Sequence, residues 1–187
     1  MVQITKRIYS FEEYLACDDI TDKRCELVDG ELIAVPQATG RQTNIARFLF
    51  KHFDQEIERR ALPWITCYGD VGVRTSFNKS RMPDLLIITQ EQQAEILDVA
   101  AVVQSPAILA VEIVRKNSAT TDYRHKRSEY AVAGIPEYWI IDFYDEKVTN
   151  LFLFEGFYDE QVFTGDEKII SQTFPHLDIK AFQLLQG

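Results

Sequence analysis

The 187 residues are 46% hydrophobic and 26% charged, enough apolar material for one sizeable core, which argues against a disordered chain and points to a single domain over residues 1–187. A formal net charge of -9 argues against a protein that holds nucleic acid by a global positive field, although a local basic groove can still meet phosphates. Cys17, Cys25 and Cys67 share no CxxC or Cys/His spacing, against both a disulfide framework and a zinc site.

Reduced thiols, the absence of a signal-peptide core after Met1 and the lack of a run long enough to span a bilayer lead to the expectation of a cytoplasmic protein with no membrane partner. Ser10-Phe11-Glu12-Glu13 has the form of a capping box, so a short helix should run to about Cys17 and cover a sheet edge. After a polar turn from Asp18 to Lys23, the segments 25–28 and 31–35 flank Asp29-Gly30, which predicts a tight hairpin. A helix over 42–60 is expected from Ile45, Leu49, Phe53 and Ile57 at four-residue spacing, with arginines and lysines on its solvated faces.

Trp64 to Tyr68 and Val71 to Arg74 read as neighbouring strands, and Asn78-Lys79-Ser80 as a turn. Arg81-Met82-Pro83-Asp84 then opens onto the apolar run Leu85 to Ile88, which places an acid at the mouth of a buried strand. The segment 91–102 reads as helix or loop. Ile108 to Val114 is a second buried strand with Glu112 inside it, where an unpaired charge is costly. A helix over 118–133 carries Lys126 towards the strand ends, stops at Gly134 and leads into the strand 137–142, completing a βαβ unit. A second hairpin turns at Glu155-Gly156, and Asp178 is the expected cap of a short terminal helix.

Two strand-borne acids, Asp84 and Glu112, are the residue types a hard cation takes, and Lys126 beside them makes the set hydrolytic in character. On spacing alone, the competing reading leaves Asp84 as a strand end, Glu112 in an ion pair and Lys126 on an exposed helix face with Asp122 at i,i+4.

These residues carry a resemblance. Pro83-Asp84, Val111-Glu112-Ile113-Val114, the run from Asp122 to Tyr130, and Ala133 to Asp142, with Glu26 to Leu32 upstream and Phe174 to Ile179 downstream, are similar to the Uma-type restriction endonuclease family. That family is a branch of the PD-(D/E)XK nuclease-like superfamily. The resemblance implies an α/β fold with a restriction-endonuclease-like mixed sheet flanked by helices, a βαβ unit and peripheral hairpins. It further implies a DNA endonuclease using Mg²⁺ or Mn²⁺ held by Asp84 and Glu112, with Lys126 as a relocated catalytic lysine and Glu26 as a further carboxylate.

The superfamily's usual lysine position, two residues after the second acid, is Val114 here. Two departures stand out: Arg115-Lys116-Asn117-Ser118 replaces the family's Ser-Pro-Ser, and Gln42 stands where a histidine is usual. Arg115, Lys116 and Arg124, with Arg127, are the candidate phosphate contacts, and Tyr130, one turn beyond Lys126, is a candidate for the cleft lining. A homodimer would suit symmetric cutting of a duplex. The alternative function is a catalytically silent nuclease fold that binds nucleic acid or a protein, which the acidity and the Arg115-Lys116 segment favour.

Overall fold

A computed structural model describes residues 7–17 and 24–187; the first six residues and the polar turn expected from Asp18 to Lys23 lie outside the described residues. Helix α1 (Phe11–Leu15) begins at a capping box in which Ser10 and Glu13 satisfy each other's backbone N–H groups. Its Phe11 and Tyr14 pack with Leu27 and Val102, so α1 covers the smaller of two sheets. Strands β1 (Cys25–Val28) and β2 (Glu31–Ala34) form the expected hairpin. Its turn needs two left-handed residues, supplied by Asp29 at φ 52° and Gly30 at φ 83°.

Helix α2 (Gly40–Arg59) starts two residues before its expected position because Thr39 and Gln42 form a second capping box. Its buried stripe of Ile45, Ala46, Leu49, Phe53 and Ile57 lies on the larger sheet. Strands β3 (Trp64–Tyr68), β6 (Leu85–Thr89), β8 (Leu109–Ile113), β9 (Glu137–Asp142), β10 (Lys147–Phe154) and β11 (Phe157–Thr164) build that sheet in the order β11-β10-β9-β8-β6-β3. Only β8 and β9 run parallel in it, joined by the expected helical crossover.

Two-residue alternation sorts the side chains of this sheet. Leu85, Ile87, Leu109, Val111, Trp139 and Ile141 pack with α2, whereas Leu86, Ile88, Ala110, Tyr138 and Ile140 pack on the opposite face with Tyr130. Glu112 follows Val111, so the same alternation turns it to the Tyr130 face.

Strands β4 (Gly72–Ser76), β5 (Lys79–Arg81) and β7 (Val102–Val103) join the first hairpin in the sheet β2-β1-β5-β4-β7. The expectation that β3 and β4 lie side by side is corrected: Gly69, at φ 68°, turns the chain from one sheet into the other. Lys79 and Ser80 belong to a strand rather than a turn, because β5 is held by β1 on one side and β4 on the other. Between β6 and β7, α3 (Gln90–Glu95) starts at a Thr89–Gln92 capping box.

The helix expected over 118–133 is a π-helical segment (Thr121–Lys126) continuing as α4 (Arg127–Ala133), which ends at Gly134 with φ 82°. Helix α5 (Ala181–Gln186) is capped at Lys180, whose N–H donates to Gln183 Oε1 at 2.9 Å, and not at Asp178. Asp178 sits two residues too early and pairs with Lys168 at 3.1 Å instead. Among the described residues, no helix is long and apolar enough to cross a membrane.

Candidate functional site

Asp84 precedes β6, and its Oδ2 accepts from the N–H of Ile113 at 2.7 Å. That bond pins the start of β6 to the end of β8, one residue from Glu112. Glu112 is only 4% exposed, and its Oε1 accepts from the Tyr130 hydroxyl at 2.7 Å and pairs with Lys126 Nζ at 2.7 Å. Both of these contacts engage the same carboxylate oxygen. Lys126 also lies 3.4 Å from Glu26 Oε1 and 3.6 Å from Asp122 Oδ1. The π-helical turn carries both Asp122 and Lys126 inward, a local i→i+5 irregularity of a kind concentrated at functional sites.

One ammonium therefore serves three carboxylates, and the titration of the group reflects the mismatch. Burial pushes the Glu112 carboxyl up to about 8; Lys126 opposes the rise, while Asp122, Asp84 and Glu26 add to it. Lys126 holds its proton more tightly than usual: burial works against the charge, but Glu112, Glu26 and Asp122 outweigh it. Burial likewise raises Asp122, with Lys126 and a 2.5 Å bond from Ser118 working against it. Glu26 goes the other way. Burial would raise its carboxyl, but Lys126 and Arg81 hold it below the usual range.

Beside this group lies a second one. Arg81 donates to Glu129 through Nε at 2.6 Å and Nη2 at 2.8 Å, and to Glu26 through Nη1 at 2.8 Å. Lys79 bridges Glu129 at 3.4 Å and Asp29 at 3.2 Å.

Glu26, Glu112, Asp122 and Lys126 form one wall of a cavity of about 550 Å³. Arg115 and Lys116 line it as well, as do Ile33, Val35, Pro36, Met82 and Tyr144. A neighbouring cavity of about 340 Å³ shares Glu26, Ile33 and Thr121 with the first and adds Lys79, Arg81 and His125.

Of the residues singled out in the sequence, Glu26, Glu112 and Lys126 meet directly, and Asp84 adjoins them through Ile113 and through its charge on Glu112. Asp84 is not part of the cavity wall; its Oδ1 faces Arg115 at 3.4 Å. Arg115 is further anchored to the Pro36 carbonyl at 2.5 Å, and exposed Lys116 projects at the rim. Two expected substrate contacts are placed differently. Arg124 is exposed and lines neither cavity, while Tyr130 is fully buried and reaches the site only through its bond to Glu112.

Gln42, in the histidine's place, is 3% exposed and donates to the Ile113 carbonyl at 3.4 Å, tying the start of α2 to the end of β8. The sequence reading assigned no site role to Asp122, Arg81 or Glu129. Their signal was a charged residue three to five positions from each motif acid or lysine, which spacing alone does not distinguish from a solvated face.

Two mixed sheets flanked by helices, with acids and a lysine gathered where β1, β6 and β8 meet the crossover helix, define a restriction-endonuclease-like α/β domain. The chain belongs to the Uma2 family, described as "Putative restriction endonuclease", whose model matches residues 11–181. It is similar in fold to the crystal structure of a putative nuclease belonging to DUF820 from Anabaena variabilis ATCC 29413. That match has a TM-score of 0.77 and 16% sequence identity, and covers 94% of this chain and 97% of the other. No curated protein matches the sequence.

Proposed function

We propose that the protein is a divalent-metal-dependent endonuclease-like phosphodiesterase acting on DNA. The observation that carries this reading is the buried group of Glu112, Glu26 and Asp122 around a single Lys126 ammonium on the wall of an open cavity. Family membership supports the nuclease class.

The donor set fits a hard divalent cation. No three His, Cys, Asp or Glu side chains form a cage among the described residues, which argues against a zinc-type site. Mg²⁺ and Mn²⁺ need less, because one or two carboxylates suffice when water and phosphate oxygens complete the shell. Asp84 and Glu112 are the residues that would hold the ion, Glu112 through the oxygen that Tyr130 and Lys126 do not engage. When bound, the ion supplies Lewis acidity and a template for water and phosphate.

The chain's own residues account for the rest. Tyr130 and Ile113 N–H fix the Glu112 and Asp84 carboxylates, so little reorganisation is needed when a substrate arrives. Lys126, kept protonated by its carboxylates, offsets negative charge developing on the phosphoryl oxygens and orients the attacking water. Lys116 at the rim draws in the flanking phosphate.

Incubation with Mg²⁺ or Mn²⁺ and mixed DNA substrates should give cleavage that EDTA abolishes. Asp84→Ala and Lys126→Ala should each lower the rate by at least about a hundredfold. Metal-independent cleavage, or full activity in both variants, contradicts the reading.

One observation favours a second reading, a silent nuclease fold that binds nucleic acid. Both Asp84 oxygens already have partners in Ile113 and Arg115, and Arg115 stands in the altered segment. Salt-sensitive DNA binding without cleavage, together with gain of cleavage in Arg115→Ser, would select it.

A further inference from the structure

The cavity beside the carboxylates has a wall that phosphodiester chemistry does not use. Besides its charged residues, the lining includes Ile33, Val35, Pro36, Met82 and Tyr144. A phosphate and a hydrated cation gain nothing from such a surface. A flat heterocycle does, since it buries apolar faces and keeps a polar edge.

Tyr144 is built to receive one. It is 52% exposed, and its ring is backed by Phe143 at 4.3 Å between centroids, with the Arg41 guanidinium 4.6 Å from the Phe143 centroid. Its backbone N–H donates to Asp142 Oδ1 at 3.1 Å, which fixes the main chain there, and the contact with Phe143 limits the freedom of the ring. The other exposed aromatics, Tyr68, Phe77, Phe154, Phe157 and Phe182, line neither cavity. The volume of about 550 Å³ is that of a small-molecule pocket: room for a nucleotide, not for a duplex. Bases inside a duplex are stacked on their neighbours, so a base enters such a pocket only from an unpaired strand or after extrusion.

We propose that this cavity binds an unpaired nucleotide, its base stacked on Tyr144 and its phosphate directed to Lys116 and the carboxylate group, making single-stranded nucleic acid the preferred substrate. The proposal rests on the nuclease reading of the same site and adds the substrate's form. Gln37 and Asn117, both exposed at the cavity, supply the polar groups that meet the base edge. A single active site suffices for an unpaired strand, so the two-fold pairing suited to duplex cutting is not required.

The test uses the full chain, a single-stranded oligodeoxynucleotide carrying 2-aminopurine, and the same strand in a duplex. Binding is read with Ca²⁺ by fluorescence quenching, and cleavage with Mg²⁺ or Mn²⁺. Stacking should quench the probe in the single strand and not in the duplex. Tyr144→Ala should bind about tenfold more weakly, with the loss in KM rather than kcat, and Tyr144→Trp should restore binding.

Unquenched probe, preference for the duplex, or an unaffected Tyr144→Ala overturns the proposal; duplex cleavage with no quenching does so while leaving the nuclease reading intact. Quenching without cleavage of any substrate supports the base pocket and removes the nuclease reading.

Discussion

Two charge groups lie side by side on this molecule and share Glu26, yet they are built to opposite rules. Around Arg81, charges come close to matching: Arg81 and Lys79 face Glu129, Asp29 and the shared Glu26, and the guanidinium makes a two-point bond to Glu129. Around Lys126, charges do not match: one ammonium meets Glu112, Glu26 and Asp122, and burial lifts Glu112 to about 8. A matched buried group is a clamp, here joining β1, β5 and α4. An unmatched one holds a carboxyl that burial makes costly to ionise, a state that persists in a fold when a cation or reacting group uses it.

The contrast breaks most visibly at Arg81. Arg81→Met strands Glu26 and Glu129 without their main partner and should cost about 3–5 kcal/mol in urea unfolding; a loss under about 1 kcal/mol would mean the matched group is no clamp. Glu112→Gln should do the reverse, removing a buried carboxyl that is costly to ionise and leaving the thermal midpoint unchanged or raised by about 2–4 °C while abolishing cleavage. Marked destabilisation there would equate the two groups.

A smaller effect concerns pH in metal-free protein. The groups facing Glu112 are Lys126 and Asp122 from the π-helical segment, Tyr130 from α4, Asp84 ahead of β6 and Glu26 from β1. Its folded value of about 8 lies above the ordinary 4.5, so the folded state binds more protons between them. Its contribution to stability is present at low pH and is lost as pH rises through about 8. The urea midpoint should therefore fall between pH 5 and 9 in wild type and fall less in Glu112→Gln, read as the difference between the two curves.

Elements with local signals were legible in the sequence: the Asp29-Gly30 and Glu155-Gly156 hairpins, the α2 stripe and the β8–β9 crossover all stand where composition and periodicity put them. The second sheet was not legible, because β5 is three residues long and β7 two, and both are held by non-local partners. On spacing alone Lys126 reads better as an exposed helix lysine paired with Asp122; the π-helical turn and the bond to Glu112 are what place it at the site. Tyr130 looked like a cleft residue because helical spacing put it near Lys126, yet it lies beneath Glu112 rather than above it. Tyr144 gave no signal, since its meaning comes from a cavity assembled by segments more than a hundred residues apart in the chain.

The most direct test of the unmatched group is a Mn²⁺ titration followed by electron paramagnetic resonance, on wild type and on Glu112→Gln. A single saturable site in wild type that vanishes in folded Glu112→Gln is the predicted result. No saturable binding in wild type, or undiminished binding in the variant, would contradict the assignment of this carboxylate group as a metal-dependent phosphodiesterase site.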